Sequence, residues 1–70
     1  MSVKYDILQE LGVLSESDKG WRLELNLISW NDATPKYDLR TWAPNHEKMG
    51  KGITLNPEEL EELKELLNKI

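Results

Sequence analysis

The sequence predicts an α+β fold: four antiparallel strands followed by one C-terminal helix, in the order β-β-β-β-α. Three observations carry this expectation. Residues 21–30 and 36–43 alternate apolar and polar side chains at the period of a half-buried strand. Asn31–Pro35, between them, is a turn by composition. Asn56-Pro57-Glu58-Glu59 then carries the signature of a helix start, and leucines at helical spacing follow it.

Residues 4–14 place Tyr5, Ile7, Leu11 and Val13 on one face of a strand at period two, with Gln9 as the exception. Gly12 suits a bend or bulge within that strand. Ser15–Gly20 reads as a turn. The second strand sets Trp21, Leu23, Leu25 and Leu27 against Arg22, Glu24, Asn26 and Ile28, and ends in Trp30. In the third, Tyr37, Leu39 and Thr41 alternate with Lys36, Asp38, Arg40 and Trp42. If both strands bury their aliphatic face, Arg22, Trp30, Lys36, Arg40 and Trp42 share the opposite one.

Ala43–Gly52 reads as a loop, and Gly52-Ile53-Thr54-Leu55 as a short fourth strand. The helix is expected from Pro57 to about Lys69. Asn56 caps it, Pro57 fits its first position, and Glu59 can bond back to the cap. Leu60, Leu63, Leu67 and Ile70 form an apolar seam that Leu66 widens, and the other side is nearly all charge. One helix on one face of a four-stranded antiparallel sheet is a single α+β unit spanning residues 1–70.

Seventy residues leave little room for a core, and chains of this size often gain stability by oligomerising. With no cysteine, neither a disulfide framework nor a thiolate metal site can supply it. No apolar run approaches the ~20 residues of a membrane span. Met1-Ser2-Val3-Lys4-Tyr5-Asp6 lacks the apolar stretch of a secretory signal, so a cytoplasmic protein is expected.

The net charge of −4 argues against nucleic acid until its distribution is considered. Residues 1–16 sum to −2, residues 17–53 to +1 and residues 54–70 to −3. Six of the nine cations lie in the middle segment: Lys19, Arg22, Lys36, Arg40, Lys48 and Lys51. Trp30 and Trp42 fall among them. Cations beside flat aromatic surfaces are what a protein uses to hold unpaired bases, the cations meeting phosphates and the rings stacking. Each residue also has a plainer reading. Trp30 and Trp42 can pack at a strand edge or a dimer seam, Arg40 can pair with nearby Asp38, and the lysines can be ordinary solvated ones. Trp21 belongs to the aliphatic face and reads as core.

Catalysis is not expected. The single histidine, His46, reads as a surface residue of a loop, with no partners at metal-ligand spacing. The helix glutamates read as a solvated face, and Gly50-Lys51-Gly52 is too short for a nucleotide loop. No cofactor is expected.

Tyr37-Asp38-Leu39-Arg40-Thr41-Trp42, followed by Lys51-Gly52-Ile53-Thr54-Leu55-Asn56-Pro57-Glu58-Glu59, resembles the C-terminal domain of the eukaryotic transcriptional coactivator positive cofactor four. Its short bacterial branch, the YdbC-like proteins, is more similar still. Trp30-Asn31-Asp32-Ala33, Pro35-Lys36-Tyr37-Asp38 and His46-Glu47-Lys48-Met49-Gly50-Lys51-Gly52 look typical of that branch. The resemblance implies a curved sheet, a homodimer formed largely through the helices (Leu60, Leu63, Leu67 and Ile70), and binding of single-stranded DNA with little sequence preference. It implies that Arg40 is the family's sheet arginine, that Lys51 and Gly52 are its Lys-Gly before the last strand, and that Trp42 belongs to its aromatic cluster. Asp32, Ala33 and Thr34 do not reproduce the eukaryotic hairpin lysines, which moves the expected contacts toward Lys19 and Arg22.

The expected function is therefore sequence-tolerant single-stranded DNA binding by a nucleoid-associated homodimer, serving transcription, replication or repair. Trp30 and Trp42 would stack on bases. Lys36, Arg40, Lys48 and Lys51 would meet phosphates, with Lys19 and Arg22 secondary, and Gly52 would let the strand approach. Two alternatives stand beside it. One is a protein-interaction module that recruits transcription machinery through the acidic helix. The other is a single-stranded RNA binder, separated from a DNA binder only by contacts to the 2′-hydroxyl.

Overall fold

The structure, a computed structural model, describes residues 4–70; Met1, Ser2 and Val3, part of the stretch read for a secretory signal, lie outside the described residues. Four strands, β1 (Tyr5–Glu16), β2 (Arg22–Trp30), β3 (Lys36–Trp42) and β4 (Met49–Leu55), form one antiparallel sheet in chain order. A 3₁₀ turn (Pro44–His46) joins β3 to β4, and the helix α1 (Pro57–Leu67) follows. The predicted order β-β-β-β-α is the observed one.

Each connection has a local cause. Gly20 closes the β1–β2 turn at φ 84°, a left-handed conformation that glycine adopts without strain, and its N–H donates to the Ser17 carbonyl at 2.9 Å. Asn31 and Asp32 turn the chain between β2 and β3 with φ of 50° and 63°. Short polar side chains tolerate that region best, and the Ala33 N–H closes the turn onto the Trp30 carbonyl at 2.9 Å. The helix start is the expected capping box. Asn56 Oδ1 accepts from the Glu59 N–H at 2.7 Å, and Glu59 Oε1 accepts from the Asn56 N–H at 2.9 Å.

Two strands depart from the expectation. β4 begins at Met49, three residues before the predicted Gly52, so the last part of the expected loop is strand. Period two fails there because the stretch from Met49 to Gly52 carries one residue more than Trp42–Arg40 opposite it. β1 slips in register against β2 three times, between Ile7 and Gln9, Glu10 and Gly12, and Val13 and Ser15. Each slip absorbs one residue, at Leu8, Leu11 and Leu14. Leu11 therefore leaves the face of Tyr5, Ile7 and Val13 and joins Leu14 beside the helix. Bulges of this kind supply the bend that a curved sheet requires.

The faces of the sheet are also not as alternation implies. Leu25 and Leu39 are only half-buried under α1, whose Leu60 and Leu63 reach toward them, and Leu27 is half-buried as well. The best-buried side chains lie on the other face: Glu24, Asn26 and Ile28 of β2, and Asp38 and Trp42 of β3. Hydropathy assigned that face to solvent. Its polar groups are buried because they satisfy one another, as described next.

Candidate nucleic-acid interface

The register places Trp30, Ile28, Asn26, Glu24 and Arg22 of β2 on one face with Lys36, Asp38, Arg40 and Trp42 of β3. Tyr5 lies opposite Trp30 on β1, and Gly52 and Thr54 lie opposite Arg40 and Asp38 on β4. Across this face runs a row of rings. Trp30 and Tyr5 are 5.6 Å apart between centroids, Tyr5 and Trp42 5.4 Å, and Trp42 and His46 4.7 Å, all tilted by 40–47°. These are spacings at which aromatic pairs attract beyond simple burial.

The two expected stacking residues occupy different positions in that row. Trp30, at one end, is half-buried and keeps part of its ring at the surface. Trp42 is completely buried between Tyr5 and His46, in place of the exposed platform expected from alternation. The indole N–H groups of both find no acceptor among the described residues. Trp21 lies just before β2 and is half-buried, its backbone N–H donating to Ser17 Oγ at 3.1 Å.

Arg40 is held rather than free. Its Nε donates to Asp38 Oδ1 at 2.5 Å and its Nη2 to Asp38 Oδ2 at 2.8 Å, a bidentate pair. Nη1 reaches the Gly50 carbonyl at 3.4 Å, and the guanidinium lies 4.9 Å from the Trp30 ring centroid. Asp38, wholly buried, also accepts from Thr54 Oγ1 at 3.1 Å. The plainer sequence reading of Arg40, an ion pair with Asp38, is thus present. Nη1 also lies 3.9 Å from Met49 Sδ, and the side chain is 14% exposed, so of the five N–H donors of an arginine one on Nη2 has no partner among the described residues.

His46 is not the plain surface residue expected. Its Nε2 lies 2.9 and 3.1 Å from the two carboxylate oxygens of the buried Glu24, and Glu24 also accepts from Asn26 Nδ2 at 3.1 Å. His46 has φ 56° and Asn45 58°, so the 3₁₀ turn folds back to bring the imidazole over Trp42.

Gly52 has a role inside the sheet. A Cβ there would run into Arg40 Cβ and the Leu39 carbonyl, and would lie 2.8 Å from Arg40 Cα. The glycine therefore lets β4 close on the strand that carries Arg40. Lys19, Lys36, Lys48 and Lys51 are exposed and enter none of the ion pairs among the described residues, whereas Arg22 pairs with Glu16 at 3.5 Å. Lys36 stands at the Trp30 end of the row. Lys19, Arg22 and Lys48 gather at the Trp42–His46 end, where Gly20 of the β1–β2 turn meets Pro44 of the 3₁₀ turn.

The sequence reading put Glu24, Asn26 and Asp38 on this face but read it as solvent-facing, and it missed Tyr5 and His46 as members of it. Tyr5 needed the β1–β2 register. The burial of the polar residues needed the knowledge that partners reach them from the 3₁₀ turn (His46), from β4 (Thr54) and from two residues along the same strand. Among the described residues no group of three or more His, Asp or Glu is placed to hold a metal ion, and no helix is long and apolar enough to cross a membrane.

The family model described as Transcriptional Coactivator p15 (PC4) matches residues 17–66, well over half of the chain. The chain belongs to the PC4 family. The match takes in β2, β3, β4 and nearly all of α1, with Trp30, Arg40, Trp42 and Gly52 inside it. A relative similar to this chain is an uncharacterized protein of Treponema pallidum (strain Nichols). It is 48% identical over 66 residues, covering 94% of this chain and 78% of the relative.

Proposed function

We propose that this PC4-family chain is a homodimeric binder of single-stranded DNA, tolerant of sequence along its aromatic row. The observation that carries the proposal is the exposed end of that row. Trp30 offers a partly open ring beside the Arg40 guanidinium, with the unpaired Lys36 on the same face. A base can stack on the ring while the phosphates on either side meet Arg40 and Lys36. Trp42 and Tyr5 back the platform from behind. Lys48, Lys19 and Arg22 extend the path of the strand past His46, and Lys51 stands on β4 next to Gly52. Membership in a family described as transcriptional coactivators supports a nucleic-acid role in transcription.

Titration of a labelled oligo-dT at several salt concentrations tests this, with anisotropy and tryptophan fluorescence followed together. Binding should quench tryptophan, and log affinity should fall with log salt at a slope of about −0.7 for each phosphate neutralised. Absence of binding at low salt would remove the proposal. A matched oligo-U in competition separates DNA from RNA.

The dimer rests on the apolar residues that the single chain leaves open. Leu60 and Leu63 face the chain's own sheet, but Leu66 and Leu67 are exposed on α1, Ile70 is exposed just beyond it, and Leu8, Leu14 and Ile53 are exposed on the strands. A second copy placed helix against helix would cover them. Leu67→Glu, at an exposed position of α1, should weaken self-association by about 30-fold or more, as loss of a central anchor does. Sedimentation should then show a monomer at concentrations where the parent chain is a dimer; an unchanged mass would exclude this seam.

A further inference from the structure

His46 closes the aromatic row at the end away from Trp30, and neither the stacking platform nor the phosphate contacts above use it. Three sets of contacts fix its position. The ring lies 4.7 Å from Trp42 between centroids. The His46 N–H donates to the Ala43 carbonyl at 2.9 Å, and the Ala43 N–H to the Lys48 carbonyl at 2.9 Å, which ties the 3₁₀ turn back on itself. Nε2 lies 2.9 and 3.1 Å from the two oxygens of Glu24, which also accepts from Asn26 Nδ2. A carboxylate can only accept, so Nε2 carries a proton and donates. That leaves Nδ1 as the atom that gains or loses a proton. Nδ1 has no partner among the described residues, and it is open to solvent. The buried side-chain nitrogens without a partner are the indole nitrogens of Trp30 and Trp42, and the His46 side chain is 28% exposed.

We infer that Nδ1 of protonated His46 donates a hydrogen bond to a phosphate of the bound single strand, so that His46 is a further ligand-contacting residue and binding takes up a proton. This rests on the reading of the chain as a single-strand binder. Charging the ring adds one N–H donor on its solvent side and turns the bond to Glu24 into an ion pair, which keeps the ring in place. A phosphate accepts from a charged donor more strongly than from a neutral one. The charged groups about the ring are Glu24 and Arg22 on β2, Glu10 on β1, Glu47 and Lys48 next in the chain, and Lys19 on the β1–β2 turn. Of these only Glu24 pairs with the ring, and Arg22 pairs with Glu16. Lys19 and Lys48 enter none of the ion pairs among the described residues and stand at the same end of the row. Histidine is the side chain that ordinarily changes charge between pH 5 and 8, and His46 is the one histidine of the chain.

Oligo-dT affinity measured at pH 5.5 and 7.5, at fixed ionic strength, tests this. Because binding takes up a proton, affinity should fall as pH rises. The parent chain should bind about fivefold more tightly at pH 5.5, a share of what a hydrogen bond to a charged group is worth. Its plot of log affinity against log salt should steepen by about 0.7 at pH 5.5, for the one phosphate added. His46→Gln keeps an amide donor for Glu24 but cannot charge, and should bring the ratio of the two affinities to about one; a thermal melt by circular dichroism confirms folding. Calorimetry of the parent chain at pH 6.5, in two buffers of different ionisation enthalpy, needs no variant and should show net proton uptake on binding. Equal affinity of the parent chain at both pH values, with oligo-dT bound, or binding without proton uptake, would overturn the His46 contact and leave the stacking proposal standing. The same pH ratio in folded His46→Gln would overturn it as well. Failure to bind oligo-dT at either pH at low salt would overturn both.

Discussion

Trp42→Ala should destabilise the protein by about 3–5 kcal/mol, the usual cost of removing a buried tryptophan ring, whereas Trp30→Ala should act mainly on binding. Trp42 is wholly buried and supports Tyr5 on one side and His46 on the other. Its loss opens a cavity under the aromatic row and frees the residue that pairs with Glu24. Trp30 stands at the open end, where losing the ring removes a stacking surface worth about 1–3 kcal/mol per base. Urea denaturation and oligo-dT affinity measured on both variants separate the roles. A Trp42→Ala protein with parental stability and lost affinity would show that Trp42 reaches the ligand directly. A Trp30→Ala protein with parental affinity would move the stacking platform elsewhere.

Asp38→Ala should be about as costly, for an electrostatic reason. The carboxylate is buried and bridges Arg40, through both of its oxygens, to Thr54 on β4. Removing one member of a buried ion pair leaves the other charge uncompensated, at a cost of about 3–5 kcal/mol. For a domain of this size that is comparable to the whole folding stability. Oligonucleotide affinity should fall in parallel, because Arg40 loses the contact that holds its guanidinium beside Trp30. Urea denaturation at fixed protein concentration is the check, since self-association also contributes to the midpoint. A loss below about 1 kcal/mol, the range of exposed ion pairs, would mean that solvent reaches Arg40 freely.

These two expectations mark where sequence reasoning succeeded and where it stopped. The order of elements, the Asn31–Asp32 turn and the capping box at Asn56 were all legible. Each depends on residues within a few positions of one another, and on preferences (left-handed backbone at Asn and Asp, an N-cap oxygen, alternation along a strand) that act locally. The gathering of Trp30, Arg40 and Trp42 on one face was legible for the same reason, because residues an even number apart on paired strands share a face.

Pairing between strands was not legible. Three bulges in β1 move Leu11 to the helix side and set Tyr5 between two tryptophans, and nothing local to Tyr5 marks this. Burial was not legible either. Glu24, Asn26 and Asp38 read as solvent-facing because hydropathy scores a side chain alone, yet a polar group can be buried once its partners lie within hydrogen-bond reach. Those partners, His46 for Glu24 and Arg40 with Thr54 for Asp38, come from other strands, from a turn, or from two residues along on the same face. Local chemistry along the chain thus specified the strands, the turns and the helix. The choice of which face is dry and which tryptophan is open depended on register and three-dimensional contact, because only those bring together charges and rings distant in sequence.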